Sequence, residues 1–100
     1  MKVNEIISIM NEIAPPELAL SFDHVGLMTG SAENNVSGIM VCLDLDEAVL
    51  NEAIELGCNM VITHHPLIFN PLADLTEDNV RGRLVCKIIR AGINVFSAHT

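Results

Sequence analysis

The N-terminal segment carries apolar residues at helical spacing. Ile6, Ile9, Met10 and Ile13 recur at positions i, i+3, i+4 and i+7, which is the pattern of one apolar face on an amphipathic helix. A Pro-Pro pair follows at residues 15–16, and proline is not tolerated in a helix interior. The pattern therefore predicts a first helix that ends before this pair.

Three short apolar runs farther along the chain predict buried strands. The runs are Ile39–Leu43, Met60–Thr63 and Ile93–Ala98. Ile39–Leu43 is continuously apolar, which is typical of a strand that is covered on both faces. Residues 20–38, which precede them, contain glycine, serine and asparagine and are predicted to form loops and turns.

Helical patterns separate the three runs. The first helix after the opening one is predicted to pack through its apolar residues Ala48, Val49, Ala53, Ile54 and Leu56. The second is predicted to pack through Val80, Leu84, Val85, Ile88 and Ile89. Asp44 or Asp46 is suited to cap the former, and Thr76 the latter. Gly57 and Gly92 suit the turns that end these helices.

This order of elements predicts the fold class. Strands and helices alternate as β-α-β-α-β after an N-terminal helix, which is typical of an α/β layered domain with at least three parallel strands joined by right-handed crossovers. The chain has 100 residues, of which 50% are apolar. That is enough to bury a core, so residues 1–100 are expected to form a single α/β domain.

Composition narrows the classes of partner. The formal net charge is −8, with no Trp or Tyr and three Phe. Nucleic acid and anionic membranes need a concentrated basic surface, and single strands also need aromatic stacking faces, so both are disfavoured as partners. Cys42, Cys58 and Cys86 show no CxxC spacing, which indicates reduced thiols rather than a disulfide framework or a zinc ribbon. With no signal-peptide core and no apolar stretch near the about 20 residues that a membrane helix needs, a cytoplasmic location is expected.

Candidate chemistry is concentrated where the predicted strands end. His64 and His65 leave the run Met60–Thr63 together and are followed at once by Pro66. Asp44 and His99 follow the other two runs. Sites in open α/β sheets lie beyond the carboxyl ends of the strands, and imidazoles withdrawn from water need partners such as a divalent metal. Consecutive strand residues point to opposite faces, but the chain must leave the sheet at Pro66, which lets both rings fan outward and each hold one ion of a close pair.

Each candidate also has a plainer interpretation. His64 and His65 could be solvated, or hydrogen-bonded to the backbone. Asp44 could be a helix cap, which is the commoner use of an aspartate between strand and helix. His99 could be structural or solvent-facing rather than a ligand, an orienting group or a proton-transfer group.

The last predicted strand has no covering element after it, which suggests part of a longer protein. A metal needs about four ligands, counting water, and a pair of metals needs more. Two histidines do not supply them. The chain is therefore expected to be an incomplete metal binder on its own.

Several of these motifs resemble a known family. They are the segment Phe22-Asp23-His24-Val25-Gly26-Leu27, the pair Leu43-Asp44, the block Ile62-Thr63-His64-His65-Pro66-Leu67-Ile68-Phe69, and Ala98-His99-Thr100. In order and spacing they are similar to the dinuclear-metal-centre proteins known as GTP cyclohydrolase I type 2 homologues, or NGG-interacting-factor-like proteins. The histidine block is the most specific of them. The family commonly has Trp-Asp-Asn where this chain has Phe22-Asp23-His24, so Asp23 and His24 are either possible substrate-side residues or ordinary loop residues.

The resemblance implies an α/β fold in which His64 and His65 bind two divalent ions, one each. It does not distinguish zinc, iron, manganese, cobalt and nickel. The family continues its His-Thr motif to a metal-binding aspartate and supplies a further histidine and glutamate near its C-terminus; all three positions would lie beyond Thr100. Asp44 and His99 would then orient ligands or face substrate.

The resemblance also implies a function for the parent protein. The first hypothesis is metal-dependent hydrolysis of a small-molecule or nucleotide substrate, with this chain forming the N-terminal part and being inactive alone. The alternative is a binding or assembly module that the metal stabilises without turnover. Family members form toroidal hexamers, so self-association is expected.

Overall fold

The computed structural model describes residues 1–15 and 25–98. The elements, in chain order, are α1 (Val3–Ile13), β1 (Gly26–Thr29), β2 (Ile39–Cys42), α2 (Glu47–Glu55), β3 (Met60–Thr63), α3 (Val80–Arg90) and β4 (Asn94–Ser97). The predicted first helix, the three predicted strands and the two connecting helices are therefore all present.

The four strands form one sheet in the order β1-β4-β3-β2. β2, β3 and β4 are parallel and in step, with Ile39 opposite Met60 and Met60 opposite Asn94. This confirms the predicted parallel β-α-β-α-β arrangement. It also brings the carboxyl ends of the three strands to the same edge of the sheet.

β1 corrects the prediction that residues 20–38 form only loops and turns. It runs antiparallel to β4 and has only four residues. Gly26 begins it and Gly30 follows it, both at positive φ. Glycines at both ends are typical of turns, so the sequence pattern does not reveal so short a strand. Its extended conformation is stabilised by pairing with β4.

Helices cover the two central strands from both sides. On one face, α1 packs Val3 and Ile6 against strand residues of β3 and β4, in a cluster completed by Met60, Ile62 and Phe96. On the other face, α2 and α3 pack against the sheet in a second cluster that contains Leu45, Leu50, Ala53, Val61, Leu67, Ile88, Ile93 and Val95. All residues of β3 and β4 are buried.

β2 corrects a second prediction. The run Ile39–Leu43 is not covered on both faces, because β2 is one of the two outer strands of the sheet and its residues alternate between exposed and half-buried. Val41 is 74% exposed and Leu43 65%. A continuous apolar run does not reveal whether a strand is central or at an edge, since that depends on the strands beside it.

The helices bury narrower faces than their apolar residues predict. In each helix only two or three residues are buried, and only some of these belong to the predicted apolar face. The buried residues are Val3 and Ile6 in α1, Leu50 and Ala53 in α2, and Gly82, Val85 and Ile88 in α3. Predicted packing residues that are exposed are Ile9, Ile13, Ala48, Ile54, Leu56, Val80 and Ile89. Within the described residues, no helix has the length and apolar character needed to cross a membrane.

The cap of α3 is also different from the prediction. Asn79, not Thr76, caps this helix, and its side chain accepts a hydrogen bond from the Gly82 amide at 2.7 Å. The chain at Thr76 instead passes close over the helix, since a Cβ at position 82 would lie 1.9 Å from the Thr76 carbonyl oxygen. Position 82 must therefore be glycine for the chain at Thr76 to lie this close to the helix, and Thr76 is not the cap.

The buried side-chain amide of Asn94 links three segments at the amino ends of the parallel strands. Its Oδ1 accepts hydrogen bonds from the Ser31 amide at 3.0 Å and from Asn34 Nδ2 at 2.9 Å. Its Nδ2 donates to the Asn59 carbonyl at 3.0 Å. This side chain thus ties the turn after β1 to the start of β3, at the edge opposite the histidines.

Candidate metal centre

Backbone pairing continues beyond the strands at the carboxyl edge of the sheet. The His64 amide donates to the Cys42 carbonyl at 3.0 Å, and the His65 amide donates to the Leu43 carbonyl at 2.9 Å. The Ala98 amide likewise donates to Thr63 at 2.9 Å. The histidines are therefore held beside the chain that leaves β2, and not on a free loop.

The two imidazoles lie next to each other. Their ring centroids are 5.0 Å apart and the ring planes are tilted by 50°. Rings that projected to opposite faces of a continuing strand would be separated by the backbone. β3 ends at Thr63 and the chain bends at His64 and His65, directly before Pro66, so no continuing strand separates the two rings.

Asp44 contacts the second histidine. Its Oδ1 lies 2.9 Å from Nδ1 of His65, with the two side chains 73% and 50% exposed. A carboxylate accepts from an imidazole N–H, so this bond places a proton on Nδ1, and in a neutral ring the lone pair is then on Nε2. Metal-binding histidines are commonly oriented by such a carboxylate.

The same contact corrects the preferred interpretation of Asp44 as a helix cap. Asp46 caps α2, because its Oδ1 accepts from the Val49 amide at 2.9 Å. Asp44 lies two residues earlier, where it reaches across to the histidine turn instead. The turn after β2 thus carries two carboxylates with different tasks.

A pair of buried hydroxyls lies beneath the histidine turn. Thr63 and Ser97 are opposite each other in the parallel register of β3 and β4. Their oxygens are 2.7 Å apart, and both residues are fully buried. One sequence signal corresponds to this pair: a hydroxyl residue ends each of two adjacent parallel strands.

His64 also lines an open cleft beside α1. The cleft has a volume of about 440 Å³ and is otherwise lined mainly by apolar groups, from Met10, Val41, Cys42, Leu43, Ile62, Thr63 and Ala98. Cys42 is a free, half-buried thiol. Burial raises its pKa above the usual value, and the nearby carboxylates of Asp44 and Asp46 raise it further.

The remaining predicted site residues, which are Asp23, His24 and His99, lie outside the described residues. Among residues 1–15 and 25–98, no three His, Cys, Asp or Glu side chains form a group that could hold a metal ion. The described part of the chain therefore brings together His64, His65 and Asp44, but not a complete ligand set.

Comparison with known proteins extends over the whole chain. The family model described as Duf34/NIF3 (NGG1p interacting factor 3) matches residues 1–100. A protein of Clostridium perfringens named "GTP cyclohydrolase 1 type 2 homolog" is 45% identical over 100 residues, which are all of this chain and 38% of that protein. A protein of Clostridium acetobutylicum with the same name is 46% identical over all of this chain and 37% of its own length.

A solved structure gives the same result. The crystal structure of a Bacillus cereus protein related to NIF3 superposes with a TM-score of 0.95 at 39% identity. The superposition covers 99% of this chain and 27% of that protein. The chain thus spans between about a quarter and two fifths of the length of these three proteins.

Proposed function

This chain belongs to the Duf34/NIF3 family, and on that premise we propose that it contributes His64 and His65 to a dinuclear divalent-metal centre. Each histidine would hold one of the two ions. The observation that carries the proposal is the hydrogen bond from His65 Nδ1 to the Asp44 carboxylate, beside a second imidazole at a centroid separation of 5.0 Å. A carboxylate that orients an imidazole at a strand end is the usual surrounding of a metal-binding histidine.

The donor chemistry fits a first-row divalent metal. Imidazole nitrogens suit zinc, iron, cobalt and nickel, and mixed imidazole and carboxylate sites also take manganese. Two imidazoles are too few for one complete site, so further ligands are required. His99 follows Ala98, whose amide bonds to Thr63, and we expect it to orient a ligand or transfer a proton.

The chain's own residues would then prepare hydrolase-type chemistry. A bound divalent ion supplies Lewis-acid activation of water and of a substrate oxygen. Asp44 would hold a proton of His65 on Nδ1, so that Nε2 would be the nitrogen that binds the metal. The mainly apolar cleft beside His64 lowers the exposure of a substrate to water. We propose a small-molecule or nucleotide substrate for the whole protein, and no turnover by this chain alone.

The edge strand favours a second candidate function, assembly without turnover. Val41 on β2 is 74% exposed, and Leu43, in the segment that leaves β2 beside the histidine turn, is 65% exposed. Exposed apolar residues at an unpaired strand edge are suited to contact with another chain. In this alternative the metal would stabilise an oligomer. The cytoplasmic location remains a prediction.

Titration with cobalt(II) tests metal binding by these residues. The wild-type chain should bind cobalt(II) with a ligand-field spectrum, and the H64A/H65A double variant should lose both binding and spectrum. Glu52→Ala, which removes a carboxylate from the exposed surface of α2, should leave them unchanged. Equal metal content in the wild-type chain and the double variant would refute the proposal.

Chelation of a longer family member separates the two functions. Loss of both thermal stability and metal-dependent hydrolysis of a nucleotide or phosphoester panel favours the enzyme. Loss of stability or of oligomers, with no metal-dependent turnover of any substrate in the panel, favours the assembly module. The matching histidine variants should reproduce the effect of chelation in either case.

A further inference from the structure

Leu67 is an anchor point directly after the histidine turn. Its side chain is 3% exposed and belongs to the core cluster that α2 and α3 form with the sheet. Its amide donates to Ser97 Oγ at 3.4 Å, and its carbonyl oxygen accepts a hydrogen bond from the guanidinium of Arg81. Both polar backbone groups of this loop residue are thus bonded to side chains, from β4 and α3.

These two bonds meet a physical need. Buried backbone N–H and C=O groups require partners, and a loop residue has no neighbouring strand or helical turn to supply them. Leu67 could bury its side chain only if other elements satisfied its backbone. Ser97 is suited to this because its hydroxyl is already held by Thr63 at 2.7 Å.

The anchor fixes the histidine turn from its downstream side. Upstream, the His65 amide is held by the Leu43 carbonyl at 2.9 Å. Between the two fixed points lies Pro66, whose ring restricts φ to about −65°. Little backbone freedom is left for the segment that carries the imidazoles, so the orientation of both rings depends on where Leu67 is held.

We propose that Arg81 and Ser97 are positioning residues, which hold Leu67 and thereby set the orientation of the His64–His65 pair. Neither side chain is proposed as a metal ligand. The consequence for metal affinity rests on the proposed metal-binding function, whereas the orientation of the rings does not. Arg81 also links the turn to the first turn of α3, so a shift of that helix would be transmitted to the histidines.

The test compares four variants with the wild-type chain. Arg81→Met removes the donor and keeps a long side chain, and Arg81→Lys restores a donor. Ser97→Ala removes the hydroxyl. Arg83→Met is the matched control, because Arg83 lies on the same helix. Its guanidinium donates to the backbone carbonyl of Glu77 at 3.5 Å, away from the histidine turn. Circular dichroism establishes that each variant is folded.

Two measurements are made without metal. Hydrogen exchange of the Leu67 amide should accelerate at least about tenfold in Ser97→Ala, since the partner of the amide is lost. The ring nitrogen chemical shifts of His65, which report its hydrogen bond to Asp44, should change in both Arg81→Met and Ser97→Ala. Arg81→Lys should return the shifts toward wild type, and Arg83→Met should not move them.

Cobalt(II) titration is the third measurement. Variants of residues that orient metal ligands lower metal affinity by about 10–100-fold, and we expect about tenfold weaker binding for Arg81→Met and Ser97→Ala with partial recovery in Arg81→Lys. If Leu67 exchanges faster but the ring shifts of His65 do not change, Arg81 and Ser97 stabilise the loop without orienting the imidazoles, and the proposal is refuted. Absence of cobalt(II) binding by the wild-type chain would refute the metal function, while the metal-free ring shifts would still decide the positioning role.

Discussion

Removal of the Asp44 carboxylate should separate the stability of the fold from the function of the site. The perturbation is Asp44→Ala, which deletes the partner of His65 Nδ1 at 2.9 Å. The two side chains are 73% and 50% exposed, and even a charged pair in such a position contributes only about 0–1 kcal/mol to folding. The free energy of unfolding should therefore fall by less than about 1 kcal/mol, and the midpoint of thermal unfolding by less than about 8 °C for a chain of this size.

Metal affinity should respond more strongly than stability. Loss of a carboxylate that orients a ligating histidine lowers metal affinity by about 10–100-fold. The largely exposed position of Asp44 favours the lower end of this range, so we expect about a tenfold rise in the dissociation constant for cobalt(II), equivalent to about 1.4 kcal/mol. Thermal unfolding followed by circular dichroism and cobalt(II) titration give the two values on the same samples.

The control is Asp74→Ala, which removes the same charge from the exposed loop between β3 and α3. If the lower affinity arose from net charge alone, both variants would bind cobalt(II) equally weakly. Equal affinity of Asp44→Ala and the wild-type chain would refute the orienting role. A loss of stability of several kcal/mol would refute it as well, because Asp44 would then support the fold itself.

Three further outcomes are expected. Asn94→Ala removes three side-chain hydrogen bonds, each contributing about 1 kcal/mol, so urea unfolding should show a loss of about 3 kcal/mol, against little change for the exposed Asn51→Ala. Gly30→Ala places a Cβ 2.0 Å from Asn94 Oδ1 at a φ of +89°, and it should destabilise the fold by at least about 2 kcal/mol in the same assay. Burial raises the pKa of Cys42, so the pH midpoint for its alkylation should lie above that of the urea-unfolded chain. Its contribution to stability should be present below the unfolded thiol pKa and decline as pH rises through the folded one.

The parallel sheet could be predicted because its strands and helices carry strong local signals. β3 and β4 lie in short, mainly apolar runs, and the segment before each of them has helical spacing and a glycine at its end. β1 lacks such a signal, since it is four residues long and forms by pairing with β4. The outer position of β2 was equally hidden, because the order of strands in a sheet is decided by tertiary contacts.

The location of the candidate site could be predicted from the sequence, but the contacts that support the histidine turn could not. Parallel strands bring their carboxyl ends to one edge, and that is sufficient to place Asp44 near His64 and His65. The contacts of Ser97 and Arg81 with Leu67 join three elements that are distant in sequence. No local pattern encodes them, because they depend on the register of β4 and on the position of α3.

The turn after β2 shows why the two interpretations of its aspartates could not be separated from sequence. Both Asp44 and Asp46 lie between a strand and a helix, where an aspartate caps most often. Only one can stand at the position whose side chain meets the Val49 amide, and this is Asp46. Once that cap fixes where α2 begins, Asp44 falls at the sheet edge beside the backbone pairing of His65 with Leu43. Capping and histidine orientation are therefore linked, because the residue that starts the helix determines which carboxylate remains for the imidazole.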